Sequence, residues 1–342
     1  MPRKTRQNDI TSPELLAQVN PDNMRLKRDF LDYLRSTQHS EGTIKGYDND
    51  LDIFFVYCLQ QLGNKKFVEV SKRDIVSFQN WLIHENGNSP SRVRRIKSAI
   101  SSMSNYIEAI LDDEEEFRNF RPIVRKIENP AMRAVREKTV WEDADLDALL
   151  GRLSESGQHE KACVLALAMY SGRRKAELCR FRVSDFSDDN LVCDGALYKS
   201  APIRTKGKGG GKYINCYTLA KRFKPYLDAW MEQRAERGIE SEWLFPSADD
   251  PSRQISISTL NSWAATFSRM TNKDFYFHSL RHAFTTNLVR AGIPDSVIAQ
   301  IVSWESNDMV KVYTDIDADE QIGMYFKDGD ISVPDRKGFG EV

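Results

Sequence analysis

The sequence predicts a mainly α-helical protein of two domains, the first all-helical and the second mixed α+β with a small β-sheet. Three observations predict this. Apolar residues recur at helical spacing through most of the 342 residues. A basic stretch over residues 121–138, broken by Pro122 and Pro130, has the composition of a linker. Strand-like segments gather only between Leu191 and Tyr217, around the glycine turn Gly207 to Gly211. With 40% hydrophobic and 29% charged residues, the composition is globular.

Residues 1–22 are polar, carry Pro2, Pro13 and Pro21, and are expected to form a flexible arm. Residues 23–120 form the helical domain. Its first helix, Met24 to Ser36, buries Leu26, Phe30, Leu31 and Leu34. The second carries Tyr47, Leu51, Phe54, Phe55, Cys58 and Leu62 on one face and ends at Gly63. Ser71 caps a third, through Ile75, Phe78, Trp81 and Leu82, which stops at Asn86-Gly87. Ser89-Pro90 opens a fourth, with Val93, Ile96, Ile100, Met103, Ile107 and Ile110 on its apolar face. The second domain spans 139–326. Asp143 to Leu153 reads as a short helix and Ala162 to Tyr170 as a buried one, broken by Ser171-Gly172. A further helix is expected from Arg174 to Phe181. After the strands come helices at Leu219 to Arg237, Ile257 to Met270, Ser279 to Ala291 and Asp295 to Val302. Residues 327–342 form an acidic tail.

Charge excludes little when summed: Lys+Arg 49 against Asp+Glu 50 gives a net −1. Locally it is polarised. Residues 199–224 hold eight basic residues and no acidic one, whereas from Tyr313 onward there are eight acidic and three basic. Arg92, Arg94, Arg95 and Lys97 crowd the first turns of the fourth helix, where the helix dipole disfavours cations. An external anion, such as a DNA phosphate, would compensate. No apolar run reaches the roughly 18 residues of a membrane span. The basic start is not followed by an apolar signal core, so a secretory signal is not expected. Five cysteines without a Cys-x-x-Cys pair argue against a disulfide framework or zinc site and for a reducing, cytoplasmic setting.

Four segments carry candidate chemistry. In Ser171-Gly172-Arg173-Arg174-Lys175-Ala176-Glu177, Arg174 and Glu177 share a helix face at i, i+3. In Arg204-Thr205-Lys206-Gly207-Lys208 a lysine ends a strand beside a flexible turn. In Phe277-His278-Ser279-Leu280-Arg281-His282, His278 and Arg281 are again i, i+3, and no third ligand stands at metal spacing. Trp304 is followed nine residues later by Tyr313.

Together, in this order, these segments resemble the tyrosine recombinases, the DNA breaking and rejoining enzymes that include phage integrases, the Xer proteins and Cre. Ser171-Gly172-Arg173-Arg174 matches the family's Thr-Gly-Leu-Arg, with Glu177 at the expected place. His278 and Arg281 fit its His-x-x-Arg motif, Trp304 its His/Trp position and Tyr313 its tyrosine. The likeness covers residues 140–325, and the helical first domain fits the family's core-binding (SAM-like) domain. Trp304, the chain length and the polar arm look most like the Cre-type simple enzymes. Two positions depart from the pattern. Arg173 stands where the family usually has an apolar residue, and spacing to Glu177 selects Arg174 over it. The glycine turn leaves two lysines, of which Lys206, at the strand end, is preferred to Lys208.

The resemblance implies a site-specific recombinase working through a 3′-phosphotyrosyl intermediate, without metal, ATP or other cofactor. Arg174 and Arg281 would clamp the phosphate oxygens. His278 would assist as donor or proton acceptor, supported by Glu177 and His282. Lys206 would protonate the leaving 5′-oxygen, Trp304 would donate one indole N–H, and Tyr313 would attack. The partner implied is double-stranded DNA with inverted-repeat sites, bound by a homotetramer that is a monomer or weak oligomer when free. Arg92, Arg94, Arg95 and Lys97 are the major-groove candidates, with Thr43 and Lys45 opposite; Lys208 would follow the hairpin, and Arg121, Arg125 and Arg133 would hold phosphates. Ile322, Met324, Tyr325 and Phe326 form an apolar cluster suited to docking on a neighbouring protomer. Two rival readings keep the same fold: a DNA-binding regulator that does not recombine, and a type IB topoisomerase-like relaxing enzyme.

Overall fold

Ser89 accepts a hydrogen bond from the Arg92 N–H, and Pro90 supplies a pre-set first turn; together they start the 21-residue helix that organises the N-terminal unit. The computed structural model describes residues 10–131, 141–205, 211–304 and 310, and the backbone of 326–327 and 330–331. The chain divides into two compact units that change over between Glu137 and Lys138.

The first unit contains α1 (Pro13–Leu16), α2 (Pro21–Ser36), α3 (Glu41–Gln61), α4 (Lys72–Asn80) and α5 (Pro90–Ile110). Its helix starts follow the sequence signals. Asn20, Ser40, Ser71 and Ser89 each cap a helix with a side-chain oxygen, and Ser71 and Asp74 form a reciprocal pair. One apolar core gathers Phe30, Leu51, Phe54, Phe55, Phe78, Ile96, Ile100 and Met103, all fully buried. Two expectations change. Within the range read as a flexible arm, α1 forms a turn and Val19 is 3% exposed, because Leu15, Leu16 and Val19 find the core. Within the range read as a linker, Ile123 is 5% exposed, with Val124 and Ile127 packed on the same core. The apolar residues of both segments outweigh their prolines.

The second unit contains α6 (Asp143–Glu155), α7 (His159–Ser171), α8 (Lys175–Leu178), α9 (Ala220–Glu236), α10 (Ile257–Thr271), α11 (Phe277–Arg290) and α12 (Asp295–Val302). Strands β1 (Leu191–Val192), β2 (Leu197–Lys199) and β5 (Tyr217–Leu219) form an antiparallel sheet in the order β1-β2-β5. Strands β3 (Ile203–Arg204) and β4 (Tyr213–Ile214) pair as a separate hairpin. Helix α7 is the centre: every residue from Ala162 to Ser171 is buried, and α6, α9 and α11 pack around it. It has no polar face because it meets no solvent.

The helix expected over Arg174 to Phe181 is only the single turn α8. Tertiary pairing ends it: the Phe181 carbonyl accepts from the Leu244 N–H at 2.9 Å, and Val183 donates to the Glu242 carbonyl at 2.9 Å. Near the C-terminus, Phe326 lies in a short strand, β6 (Phe326–Lys327), paired antiparallel with β7 (Asp330–Ile331). Among the described residues, no helix is long and apolar enough to cross a membrane.

Candidate active site and nucleic-acid surface

Gly172 ends α7 in the left-handed region, at φ 58°. A Cβ at this position would lie 2.4 Å from Phe284 Cδ1, so glycine answers both the dihedral and the close approach of α11. Beyond it the two arginines diverge. Arg173 turns inward and is 1% exposed, donating to the Ser171 carbonyl (3.1 Å), Ser303 Oγ (3.3 Å) and the Ile301 carbonyl. Arg174 turns outward. Its Nη1 donates to Glu177 Oε1 at 3.2 Å, and its backbone N–H to Glu177 Oε2 at 3.0 Å.

Glu177 is 1% exposed and also accepts from Thr205 Oγ1, at 2.8 Å. Burial works to raise its pKa. The Arg173 guanidinium, the Arg174 N–H, the Thr205 hydroxyl and the Arg174 side chain outweigh burial and hold the carboxyl below the usual glutamate value. Glu177 is therefore a carboxylate that joins the Arg174 turn to the base of the β3–β4 hairpin. Arg180 adds a second tie, donating from Nη1 to the Arg204 carbonyl. Thr205 N–H donates to the Lys212 carbonyl at 2.7 Å across the hairpin base. Lys206 and Lys208 lie outside the described residues.

Helix α11 brings the third segment. His278 stands at its first turn, and the His282 ring lies one turn on, 5.5 Å away and perpendicular. Desolvation first, then His282, Arg281 and Arg174, lower the His278 pKa to about 4. The ring is thus neutral at pH 7, although its outer edge is open to solvent. Arg281 is fully buried, its fork donating to the Gly172 carbonyl at 2.8 Å and the Val302 carbonyl at 2.7 Å. The Trp304 ring lies over it, with Cζ 5.0 Å from the centroid. Trp141 anchors the start of α11 by donating from Nε1 to Ser279 Oγ at 2.8 Å. Tyr313 lies outside the described residues.

These elements enclose one cleft of about 470 Å³, lined by Arg174, Lys175, Glu177, Arg180, Thr205, Tyr276, Phe277 and His278. Over a mainly apolar lining it carries three cations, Arg174, Lys175 and Arg180, one carboxylate, Glu177, and one neutral imidazole, a set that can receive a phosphodiester. Arg174, Glu177 and His278 meet in this cleft. Arg281 and Trp304 do not line it, and no open face of Arg281 reaches solvent.

The basic start of α5 is more structural than the sequence suggests. Lys97 is 2% exposed, and its ammonium donates to Gln79 Oε1 (2.7 Å) and to the Glu128 (2.9 Å) and Ile127 carbonyls. It is a buried tie, not a surface cation. Arg94 donates to the Pro130 carbonyl at 2.8 and 3.2 Å. Arg92 and Arg95 flank the fully buried Asp50, at 2.5 and 3.2 Å. Burial raises the Asp50 pKa, and the two arginines act against that. Arg95, Lys45, Arg121 and Arg125 are exposed and Thr43 half-buried; Arg125 pairs with Glu108 at 2.7 Å. Arg133, Ile322, Met324 and Tyr325 lie outside the described residues.

Sequence reading set Arg173 aside in favour of Arg174 and gave no role to Thr205, Arg180 or Tyr276. Helical spacing reveals partners within one element only, and Thr205 meets Glu177 across 28 residues. The only signal available was that Thr205 precedes the candidate lysine.

Comparison with known proteins places the chain in a family. Residues 140–320 match the phage integrase family, and residues 26–114 match the phage integrase N-terminal SAM-like domain. The chain is 30% identical over 254 residues to the SPbeta prophage-derived recombinase-like protein YomM of Bacillus subtilis, covering 73% of this chain and 72% of that one. It is 24% identical over 299 residues to a tyrosine recombinase of Thermosipho africanus, covering 85% and 95%. Its fold resembles that of the XerH site-specific recombinase bound to a palindromic difH substrate, with TM-score 0.65, 14% identity and coverage of 93% and 91%. The chain belongs to the phage integrase family, the tyrosine recombinases.

Proposed function

We propose that the protein cuts and rejoins DNA at paired sites through a 3′-phosphotyrosyl link to Tyr313 and a Holliday junction. The observation that carries this reading is the convergence of Arg174, Glu177 and His278 on one cleft that also carries Lys175 and Arg180, with Arg281 one turn beyond His278 on α11 and Trp304 over Arg281. Arg174, oriented by Glu177, is the guanidinium that meets the scissile phosphate. Arg281 contributes its charge from the buried side and orders the Gly172 and Val302 carbonyls. The pentavalent transition state gathers negative charge on its non-bridging oxygens, where these cations act. His278, neutral at pH 7, accepts the Tyr313 proton as the phenol attacks phosphorus. Lys206, carried on the hairpin that Thr205 ties to Glu177, protonates the departing 5′-oxygen. Phosphodiester exchange keeps the bond energy in the phosphotyrosyl link, so rejoining draws on neither ATP nor a metal.

The DNA is a duplex with inverted-repeat sites, held by a tetramer on two sites. Arg95, Arg92, Lys45 and Arg121 supply exposed or half-exposed cations of the helical unit for this. The test uses a nicked suicide duplex carrying a site enriched by the protein from random DNA. Wild type should form a covalent protein–DNA adduct and Tyr313→Phe should not. A wild-type protein that binds the site but forms no adduct would leave only a DNA-binding regulator.

A further inference from the structure

The last turn of α12 exposes backbone carbonyls with no intrahelical donor. Two buried guanidiniums take them: Arg173 the Ile301 carbonyl and Arg281 the Val302 carbonyl. Ser303 then reverses the chain in the left-handed region, at φ 57°, and its Oγ accepts from Arg173 at 3.3 Å. Trp304 follows, its N–H on the Ala299 carbonyl at 2.8 Å and its ring over Arg281. Arg173 Nε donates to the Ser171 carbonyl (3.1 Å), and the Nη1 that reaches Ser303 also donates to Cys216 Sγ (3.6 Å), in the connection between β4 and β5. One side chain therefore joins the turn before Arg174, the sheet, and the turn that delivers Trp304.

We propose that Arg173 is a positioning residue for strand cleavage: it fixes the Ile301–Trp304 turn so that Trp304 stays seated over Arg281. The proposal rests on the cleavage reading above. The apolar side chain usual at this position in the family would fill the space and donate nothing. The Ile301 carbonyl and Ser303 hydroxyl would lose their charged partner, leaving Arg281 on the Val302 carbonyl as the one guanidinium on the Trp304 turn among the described residues. Arg173 itself meets no phosphate, since it is 1% exposed and committed to these acceptors.

The test compares full-length wild type, Arg173→Met, Arg173→Lys, Trp304→Phe and the double variant Arg173→Met/Trp304→Phe on the suicide duplex. Arg173→Met should bind the site with wild-type affinity yet cleave about ten-fold or more slowly at saturating DNA. Arg173→Lys, which keeps a donor, should recover part of the rate. The double variant should be no slower than the slower single one, because both act on the same turn. Should Arg173→Met fail to fold, Ser303→Ala decides: it removes one Arg173 contact and should slow cleavage about ten-fold, the lower end of the range for a hydrogen bond to a charged group. A wild-type cleavage rate in the Met variant, or in Ser303→Ala when that variant decides, overturns the proposal. So do rate losses that multiply in the double variant. A wild type that forms no adduct at all overturns the cleavage reading, and this proposal with it; a cleaving wild type beside an equally fast Met variant overturns this proposal alone.

Discussion

The Thr205 hydroxyl and the Arg174 guanidinium share one acceptor, Glu177 Oε1, at 2.8 and 3.2 Å. A buried carboxylate thus couples the β3–β4 hairpin to the arginine turn of the cleft. Thr205→Val keeps the shape and removes the donor. It should lower stability by about 1.5–3 kcal/mol, the range for a hydrogen bond to a charged group, and slow DNA cleavage. Thr205→Ser should retain both. Urea unfolding and suicide-substrate cleavage measure the two effects; an unchanged Thr205→Val protein would show that the hairpin needs no such tie.

Gly172→Ala places a methyl 2.4 Å from Phe284 Cδ1 and an L residue at φ 58°. The strain and the displaced ring should destabilise the fold by about 1–3 kcal/mol. Because the Gly172 carbonyl also receives Arg281, cleavage should fall with stability. Phe284→Leu relieves the clash and should restore part of the loss in the double variant, read by thermal unfolding.

His278 carries a pKa lowered to about 4, by desolvation first and by His282, Arg281 and Arg174 after it. A histidine depressed in the folded state stabilises the fold above its unfolded pKa, about 6.5, and loses that contribution as pH falls toward 4. Stability of the free protein should therefore decline through this window. His278→Gln should flatten the decline; an equally steep profile in that variant would assign it to other groups. Solvent at the ring edge moderates the size of the effect, but the sign stands.

On α5, neighbouring cations should behave differently. Lys97→Met removes donors to Gln79, Glu128 and Ile127 and should lower the unfolding midpoint without changing the salt slope of DNA binding. Arg95→Ala, at an exposed position, should instead reduce that slope by about one, on the scale of a single phosphate contact. Affinity measured across a salt series, with unfolding curves for each variant, separates the two behaviours. Equal slopes in all three proteins would remove α5 from the DNA surface.

Most helices were legible because their signals are local. Ser71, Ser89-Pro90, Gly63 and Gly172 mark ends that the structure keeps. The α8 turn was overestimated because its end is set by pairing with residues 242–244, about 60 positions away. The pairing of Arg174 with Glu177 followed from i, i+3 spacing. The burial of Lys97 did not, since cationic sequence carries no mark of an acceptor such as the Glu128 carbonyl. The partners of Arg173 were illegible for the same reason: the Ile301 carbonyl and the Ser303 hydroxyl come from the end of a helix that begins 122 residues later.

The Asp50 cluster bears on how such a protein could be retargeted. Arg92 and Arg95 share a carboxylate with no exposure, and a side chain at Gly46 would meet Arg95 Nη2 at 2.5 Å. Replacing both arginines to change a base preference would strand a buried anion, a loss of about 3–5 kcal/mol. A library that varies α5 alone would mostly return unfolded proteins and report little about sequence preference. On the DNA surface proposed for α5, the unit of specificity would be a quartet drawn from two helices, and randomising positions 46, 50, 92 and 95 together gives selection folded alternatives to act on.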